Sequence, residues 1–146
     1  NWILTPHPAE AARLLGCDTA TVQADRFTAV KTLQQRFGGA VVLKGAGTLI
    51  ADAGSEIALC SDGNPGMATG GMGDVLSGVL GALMAQGLGV GEAARLGVGL
   101  HARAGDLAAI AGQRGTQATD LIPLLRQLVN GLLVDGVLLK EDSVVV

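Results

Sequence analysis

A glycine-rich segment next to an acidic residue is the part of this 146-residue sequence best suited to chemistry. Residues 64–74 read NPGMATGGMGD, and Gly70, Gly71 and Gly73 come directly before a predicted helix over residues 74–86. The backbone N–H groups of such glycines can converge on one point, which also receives the positive end of the helix dipole. The spacing therefore predicts an anion hole that holds a phosphate group.

Asp74 opens this predicted helix, and its carboxylate could serve in either of two roles. A negative charge is favoured in the first turn of a helix, where it can act as a cap. The same charge would face any phosphate in the anion hole, and a fixed anion beside an anion site is better suited to accept a proton than to bind the ligand. The spacing leaves both roles open, a catalytic base and a helix cap.

A lysine followed by two glycines forms a second candidate site. It comes directly after the apolar run AVVL at residues 40–43, which is typical of a strand buried on both faces of a parallel sheet. Ligands of open α/β sheets bind at the carboxyl ends of such strands. The segment is not a Walker loop, because the lysine precedes the glycines. The candidate nucleotide-binding residues are Lys44, Gly45, Ala46, Gly47 and Thr48, and Lys44 could instead be a solvated strand end.

His7 is the third candidate. It lies between Pro6 and Pro8, which restrict the backbone on both sides of the imidazole where a strand gives way to a loop. A histidine held in this way could contact a substrate. The alternative is an ordinary polar residue at the surface, and the position leaves both interpretations open.

Strands and helices alternate around these three segments. Strands are predicted at residues 2–4 and 40–43, and as a hairpin of 49–52 and 57–60 joined by a turn over 53–56. Helices are predicted at 8–15, 21–37, 74–86, 91–111 and 120–129, the last with Asp120 as N-cap, while residues 64–73 are too irregular for any regular element. This order predicts an open α/β fold. About four strands are few for so many helices, which suggests that further strands precede Asn1.

Several single residues are assigned to the interior. Trp2 and the two cysteines, Cys17 and Cys60, are interpreted as buried hydrophobic residues. His101 lies in an apolar, glycine-rich part of a predicted helix and is interpreted as a packed or hydrogen-bonded core histidine. Asp106 is interpreted as a charge on the exposed face of the same helix.

The composition argues against several classes of protein. The net charge is −3 and the ten lysines and arginines are scattered, so we expect no nucleic-acid partner. Charged residues and glycines interrupt every apolar run before it reaches the roughly 20 residues of a membrane span, so we expect no membrane segment. Two distant cysteines do not form a zinc or disulfide pattern, and we expect a cytoplasmic protein.

Three motifs together resemble the nucleotide-dependent NAD(P)H-hydrate dehydratases, a family of the ribokinase superfamily. The motifs are TPHPAE at 5–10, VVLKGAGT at 41–48 and NPGMATGGMGDVLSG at 64–78, in the family's order and spacing. The resemblance implies that residues 1–130 are the C-terminal part of the dehydratase domain, with a three-layer α/β/α fold whose N-terminal half is missing. It assigns no role to the tail over residues 131–146.

The resemblance also implies roles for the candidate residues. His7 and Asp74 would contact the hydrated nicotinamide nucleotide, with Asp74 as catalytic base. Residues 44–48 and Gly73 would hold ADP or ATP, and the glycines of the anion hole would stabilise the transferring phosphoryl group. Mg²⁺ is expected on the nucleotide phosphates, although no set of protein ligands for a metal stands out. Family members are commonly homo-oligomers, tetramers among them.

The implied reaction is the repair of a damaged cofactor. The substrates would be the S-epimer of NADH or NADPH hydrate and a nucleotide, with ADP favoured over ATP. Phosphorylation of the ring hydroxyl would turn it into a leaving group, and its departure would restore NADH or NADPH. We expect the isolated chain to be incomplete as an enzyme. The alternatives are a ribokinase-like kinase of a small molecule such as a vitamin precursor, and a nucleotide-sensing module without turnover.

Overall fold

The computed structural model describes residues 1–54, 56–131 and 144–145. Most of the tail to which the sequence assigned no role therefore lies outside the described residues, and so does Ser55 in the predicted hairpin turn. Within the described residues the strands form one sheet, ordered as they occur along the chain. They are β1 (Ile3–Leu4), β2 (Ala40–Leu43), β3 (Thr48–Ala51), β4 (Ile57–Cys60) and β5 (Val144–Val145).

Parallel and antiparallel pairs both occur in this sheet. Strand β1 runs parallel to β2, whereas β2 with β3, β3 with β4 and β4 with β5 are antiparallel. The four strands predicted from the sequence are confirmed, and β5 adds a short edge strand from the tail. Strand β2 is buried at every position, as its continuous apolar run predicted.

Six α-helices and three short 3₁₀ turns are present among the described residues. The helices are α1 (Pro8–Leu15), α2 (Thr19–Ala24), α3 (Arg26–Phe37), α4 (Met72–Ala85), α5 (Val90–Ala108) and α6 (Leu121–Val129). The 3₁₀ turns are Pro65–Met67, Ala109–Ala111 and Ala118–Asp120. No helix in the described ranges is long and apolar enough to cross a membrane.

The prediction of one helix over residues 21–37 is wrong, because the chain forms α2 and α3 there. Asp18 caps α2 by accepting a hydrogen bond from the Thr21 amide at 2.7 Å. Asp25 leaves the helical conformation, with φ −146° and ψ 85°, and caps α3 through the Thr28 amide at 2.9 Å. Apolar spacing continues across this break, so the periodicity did not reveal the second cap.

Two other helix starts differ from the prediction. Helix α4 begins at Met72 rather than Asp74, because Gly71 adopts a φ of 87° and forms the N-cap. A 3₁₀ turn occupies Pro65–Met67 in the segment predicted to be irregular. Asp120 occupies the N-cap position of α6, as predicted, but its side chain makes no cap hydrogen bond there, because its carboxylate accepts from the Gln117 amide at 2.8 Å in the preceding 3₁₀ turn.

Helices cover both faces of the sheet. One face packs under α1, α2 and α3, and the other packs under α4 and α5, which gives three layers. Side chains of β2 and β3 alternate between the two interiors, as expected of a pleated strand buried on both faces. Val41, Leu43 and Leu49 face the first layer, and Val42 and Ile50 face the second.

Of the four residues that the sequence assigned to the interior, two are buried and two are exposed. Cys60 is buried in the core and His101 is buried and hydrogen-bonded, as predicted. Trp2 is 54% exposed, so its assignment to the core is wrong. Cys17 is exposed, so the same assignment is wrong for this cysteine, which follows the αL residue that ends α1.

Candidate functional site

An open cleft of about 350 Å³ lies where the first loop, the end of β2 and the start of α4 meet. Strands β1 and β2 are parallel, so their carboxyl ends lie at the same edge of the sheet. Beyond the last paired residues of β1 and β2, the Lys44 amide donates to the Pro6 carbonyl at 2.9 Å and so holds the two chain segments together. The cleft is lined by Leu4, Thr5, Pro6, Glu10, Leu14, Lys44, Gly73, Asp74 and Ser77.

Lys44 supplies the positive charge of this cleft. Its Nζ lies 3.9 Å from Glu10 Oε2, and it lies 3.2 Å from the point where a Cβ on Gly73 would stand. A cation at the N-terminus of a helix faces the positive end of the dipole, which is unfavourable on its own. An anion bound between the ammonium and the start of α4 would relieve that repulsion, so the arrangement favours phosphate binding over a solvated strand end.

The first turn of α4 is open to a ligand. Gly71 offers no side chain, and α4 has no side-chain cap. The amides of Asp74 and Val75 pair with the Gly71 carbonyl at 3.1 and 3.0 Å, and the amides of Met72 and Gly73 precede them in the turn. Uncapped N–H groups at a helix start bind anions readily. This geometry is compatible with the anion hole predicted at Gly70, Gly71 and Gly73.

Asp74 is exposed and lies in the wall of the cleft, within the first turn of α4. Because α4 has no side-chain cap, the structure does not support the helix-cap role for this carboxylate. Ser77 lies one turn later, also on the cleft wall, and its hydroxyl donates to the Gly73 carbonyl at 2.9 Å. Asp74 thus shares one cleft with Lys44 and Gly73, as a base acting next to a phosphate site would.

His7 is the N-cap of α1. Its Nδ1 accepts from the amides of Ala9 and Glu10 at 3.2 and 3.3 Å, so this nitrogen is unprotonated in the observed geometry. The Glu10 carboxylate accepts from the His7 amide at 2.7 Å and lies 3.3 Å from Nε2, which completes a reciprocal capping box. His7 lies outside the lining of the cleft, beside Glu10, which belongs to it.

Glu10 was not singled out as a site residue, although it belongs to the TPHPAE motif. The hydrogen bond from the His7 amide, followed by the nearby Lys44 charge, holds the pKa of Glu10 below its ordinary value against the opposing effect of burial. The carboxylate is therefore charged when it faces Lys44. Its position three residues after a residue that can cap a helix was the local signal that could have identified it.

The loop over residues 44–48 turns away from the cleft after Lys44. Gly45 has a φ of 149° and Gly47 a φ of 69°, conformations that side chains rarely adopt. Thr48 Oγ1 donates to the Gly45 carbonyl at 3.1 Å and closes the loop. Gly45, Ala46, Gly47 and Thr48 lie next to the cleft without lining it, so their contact with a nucleotide stays a prediction.

Two side chains from α5 hold the glycine-rich segment in place, and the sequence did not indicate either role. Asp106 accepts from the Gly63 amide at 3.0 Å and from Asn64 Nδ2 at 2.9 Å. His101 Nε2 lies 3.0 Å from the Met72 carbonyl in the first turn of α4. These contacts span 29 to 43 residues of sequence, so no local pattern could have revealed them.

The environment of His101 disfavours its charged form. Burial lowers the pKa of this imidazole, the hydrogen bond to the Met72 carbonyl opposes that effect, and the Lys44 charge adds to it. A neutral His101 can donate Nε2–H to the Met72 carbonyl while placing no second positive charge beside the first turn of α4. Across the described ranges, no three His, Cys, Asp or Glu side chains come together as a metal site.

Known proteins support the resemblance carried by the three motifs. A family model described as NAD(P)H-hydrate dehydratase matches residues 1–127. The bifunctional NAD(P)H-hydrate repair enzyme Nnr of Vibrio cholerae is 61% identical over 129 residues, which are 88% of this chain and 26% of that protein. The ADP-dependent (S)-NAD(P)H-hydrate dehydratase of Neisseria meningitidis is 59% identical over 76 residues, 52% of this chain and 26% of that protein.

A solved structure supports the fold. The ADP/ATP-dependent NAD(P)H-hydrate dehydratase of Bacillus subtilis, co-crystallised with ATP and Mg²⁺, superposes with a TM-score of 0.83 at 28% identity. The match covers 89% of this chain and 47% of that chain. The predicted ribokinase-like α/β fold is confirmed, since a ribokinase-like superfamily protein of Enterococcus faecalis is also similar. The chain thus spans about a quarter of the curated relatives and half of the solved dehydratase, and it belongs to the NAD(P)H-hydrate dehydratase family.

Proposed function

We propose that the protein carrying this chain is an ADP-dependent dehydratase that converts the S-epimer of NADH or NADPH hydrate back to NADH or NADPH. The observation that carries this proposal is the meeting of Lys44, Gly73 and Asp74 in one cleft. A cation, an uncapped helix start and a carboxylate are the three groups that phosphoryl transfer to a hydroxyl requires. Family membership supports the same reaction.

Phosphate binding is assigned to Lys44 and to the amides of Gly70, Gly71 and Gly73. The ammonium would neutralise charge on the transferring phosphoryl group, and the amides would donate to its oxygens. We propose that residues 44–48 hold the rest of the nucleotide, since they continue from Lys44 away from the cleft. His7, held rigidly by α1 beside Glu10, would contact the hydrated dinucleotide.

Asp74 would act as the base in the first step. It accepts the proton of the hydroxyl on C6 of the hydrated ring while that oxygen attacks the terminal phosphorus of the nucleotide, and AMP leaves when the donor is ADP. The C6–O bond of the phosphorylated hydrate then breaks, and its electron pair departs with phosphate. The lone pair of the ring nitrogen replaces that pair, and loss of a proton from C5 restores the dihydropyridine.

A magnesium ion fits this site only through the nucleotide. The part of the chain that the structure describes holds no cluster of metal ligands, and Mg²⁺ commonly binds through substrate phosphates and water with few protein ligands. When bound there, the ion would supply further neutralisation of phosphate charge. The co-crystallisation of the Bacillus subtilis dehydratase with ATP and Mg²⁺ supports this proposal.

Other parts of the proposal rest on the relatives and on the substrates. The name of the Neisseria meningitidis relative supports ADP as the donor and the S-epimer as the substrate. We propose that residues 1–130 form the C-terminal part of a dehydratase domain. The resemblance of the three motifs supports this placement, and the chain spans about half of the solved dehydratase. The substrates and the two free cysteines, Cys17 and Cys60, favour the cytoplasm. A homo-oligomer, a tetramer among the forms considered, stays a prediction.

The test is a direct assay of the full-length protein with purified NADH hydrate. We expect appearance of NADH absorbance together with one phosphate and one AMP for each hydrate consumed when ADP is the donor. A small-molecule kinase would instead leave a stable phosphorylated product from one of a panel of vitamin-precursor alcohols. A nucleotide-sensing module would bind ADP without turning over any of these substrates, and either result would contradict the proposal.

A further inference from the structure

Arg26 is the first residue of α3, and its guanidinium lies against the backbone of the 44–48 loop. Nη1 donates to the Ala46 carbonyl at 2.7 Å. Nη2 donates to the carbonyls of Leu43 and Lys44 at 3.1 and 3.4 Å. One side chain thus binds three carbonyls that begin at the end of β2 and continue through the loop. The contacts join residues 17 to 20 positions apart, so the loop is held by another layer of the fold.

The orientation of these carbonyls determines what the loop offers to a ligand. A peptide whose C=O points toward the guanidinium directs its N–H the opposite way, because the peptide unit is planar and trans. The carbonyls of Lys44 and Ala46 belong to the same peptides as the amides of Gly45 and Gly47. Arg26 therefore turns those two N–H groups away from α3, where they can donate to a ligand.

Gly45 leaves room for the Arg26 guanidinium. A Cβ at this position would lie 2.9 Å from Arg26 Nη2, closer than real Cβ contacts allow, and the residue has a φ of 149°. The absence of a side chain thus lets the guanidinium approach the loop backbone. Gly45, one of the candidate nucleotide-binding residues, is thus in close contact with Arg26 on one side.

The arrangement also carries a cost. Arg26 Nε is buried without a hydrogen-bond partner among the described residues, and an unpaired buried donor is unfavourable for stability. The hydrogen bonds of its two Nη atoms all go to backbone carbonyls of residues 43, 44 and 46, so the guanidinium acts on the loop backbone.

We propose that Arg26 is the positioning residue of the nucleotide site, holding residues 44–48 in their binding conformation before the nucleotide arrives. The inference rests on the proposed function of that loop. We assign Arg26 no contact with the ligand, because the described hydrogen bonds of its Nη atoms go to the loop carbonyls. Because the loop is already ordered, nucleotide binding does not have to supply the free energy that ordering it would cost.

The test compares Arg26→Lys and Arg26→Met with a matched control in the full-length protein. Arg36→Met is that control, because Arg36 lies on the same helix and also donates to a backbone carbonyl, that of Leu14 near the end of α1, at 2.8 Å and far from residues 44–48 in sequence. Calorimetry gives ADP affinity, and steady-state kinetics separate the KM for ADP from kcat and from the KM for the hydrate. Hydrogen exchange at the amides of residues 44–48 is measured without nucleotide.

We expect both Arg26 variants to bind ADP at least about tenfold more weakly, as loss of charge-assisted hydrogen bonds implies. The KM for ADP should rise in parallel, kcat and the KM for the hydrate should stay within a few-fold, and the loop amides should exchange faster. The control should match the parent in every measurement. Arg26→Lys is decisive because it keeps the charge and removes the planar fork.

Each other outcome has a defined meaning. Parent-like ADP affinity and loop exchange in Arg26→Lys would overturn the positioning role while leaving the proposed function intact. A parent protein that binds no ADP would overturn both. Unfolding of both Arg26 variants, seen as loss of the thermal transition, would show that the arginine holds the fold rather than the loop and would likewise contradict the inference.

Discussion

The Nζ of Lys44 lies 3.2 Å from the point where a Cβ on Gly73 would stand. The Lys44 ammonium, at the end of β2, therefore lies directly beside the first turn of α4. Any side chain at Gly73 must displace that ammonium by a few tenths of an ångström. This contact makes Gly73 a position where a single methyl group tests the proposed phosphate site.

Gly73→Ala should weaken ADP binding about threefold to tenfold without loss of stability, because alanine is a better helix former than glycine. The added methyl group moves Lys44 and narrows the approach to the first-turn amides. Gly81→Ala is the matched control, since it makes the same change in the same helix with open space around the new Cβ. Calorimetry with ADP and thermal unfolding give the two readouts, and equal ADP affinity in both variants would argue against the site.

Glu10→Gln should strengthen ADP binding by a few-fold, whereas Lys44→Met should weaken it by about tenfold or more. The Glu10 carboxylate lies 3.9 Å from the ammonium and competes with an incoming phosphate for it. Glutamine keeps the size of the side chain and much of its hydrogen bonding to the His7 amide. The measurement is ADP affinity at low and at moderate salt, where the difference should shrink as salt rises. Weaker binding by Glu10→Gln would mean that the carboxylate orders the site rather than competing for Lys44.

His101 should make stability depend on pH. Its folded-state pKa lies below the ordinary value of 6.5, chiefly because of burial, so the unfolded chain binds more protons near that pH. The free energy of unfolding is therefore expected to hold above pH 6.5 and to fall as the pH drops from 6.5 through the folded-state pKa. His101→Gln should flatten this dependence in denaturant titrations across the range. An unchanged slope in the variant would assign the acid sensitivity to other groups.

The open α/β class and the elements around the site could be predicted from local patterns in the sequence. The AVVL run of β2 and the hairpin that follows were identified because burial on both faces leaves an unbroken apolar run. The break between α2 and α3 was missed because Asp25 interrupts the backbone without interrupting the apolar spacing. Trp2 was assigned to the core on residue type alone, and residue type carries no information about which neighbours cover it.

Site residues that lie in local sequence motifs were predicted, whereas those that act through contacts distant in sequence were not. Lys44, Gly73 and Asp74 were predicted because each lies in a motif at the start or end of an element. Parallel β1 and β2 bring Lys44 to the same edge as the first loop, and Lys44 approaches Gly73 at the start of α4. Arg26 and Asp106 were not predicted as site residues. Their hydrogen-bond partners lie 17 to 43 residues away in sequence. Tertiary packing decides which loop a helix face contacts, and a short sequence pattern contains no information about that packing.

Asp74→Asn in the full-length protein tests the central assignment, that this carboxylate is the base of the dehydratase reaction. Asparagine keeps the size of the side chain and removes its ability to accept the proton. We expect kcat for the hydrate to fall about 10² to 10⁴ fold, with ADP affinity unchanged or higher because a negative charge beside the phosphates is gone. Glu92→Gln is the control, since Glu92 is also in a first helical turn, where it accepts from the Gly89 amide at 3.1 Å. It should lower stability slightly and leave turnover intact. Turnover of the Asp74→Asn protein within a few-fold of the parent would contradict the account and remove Asp74 from the mechanism.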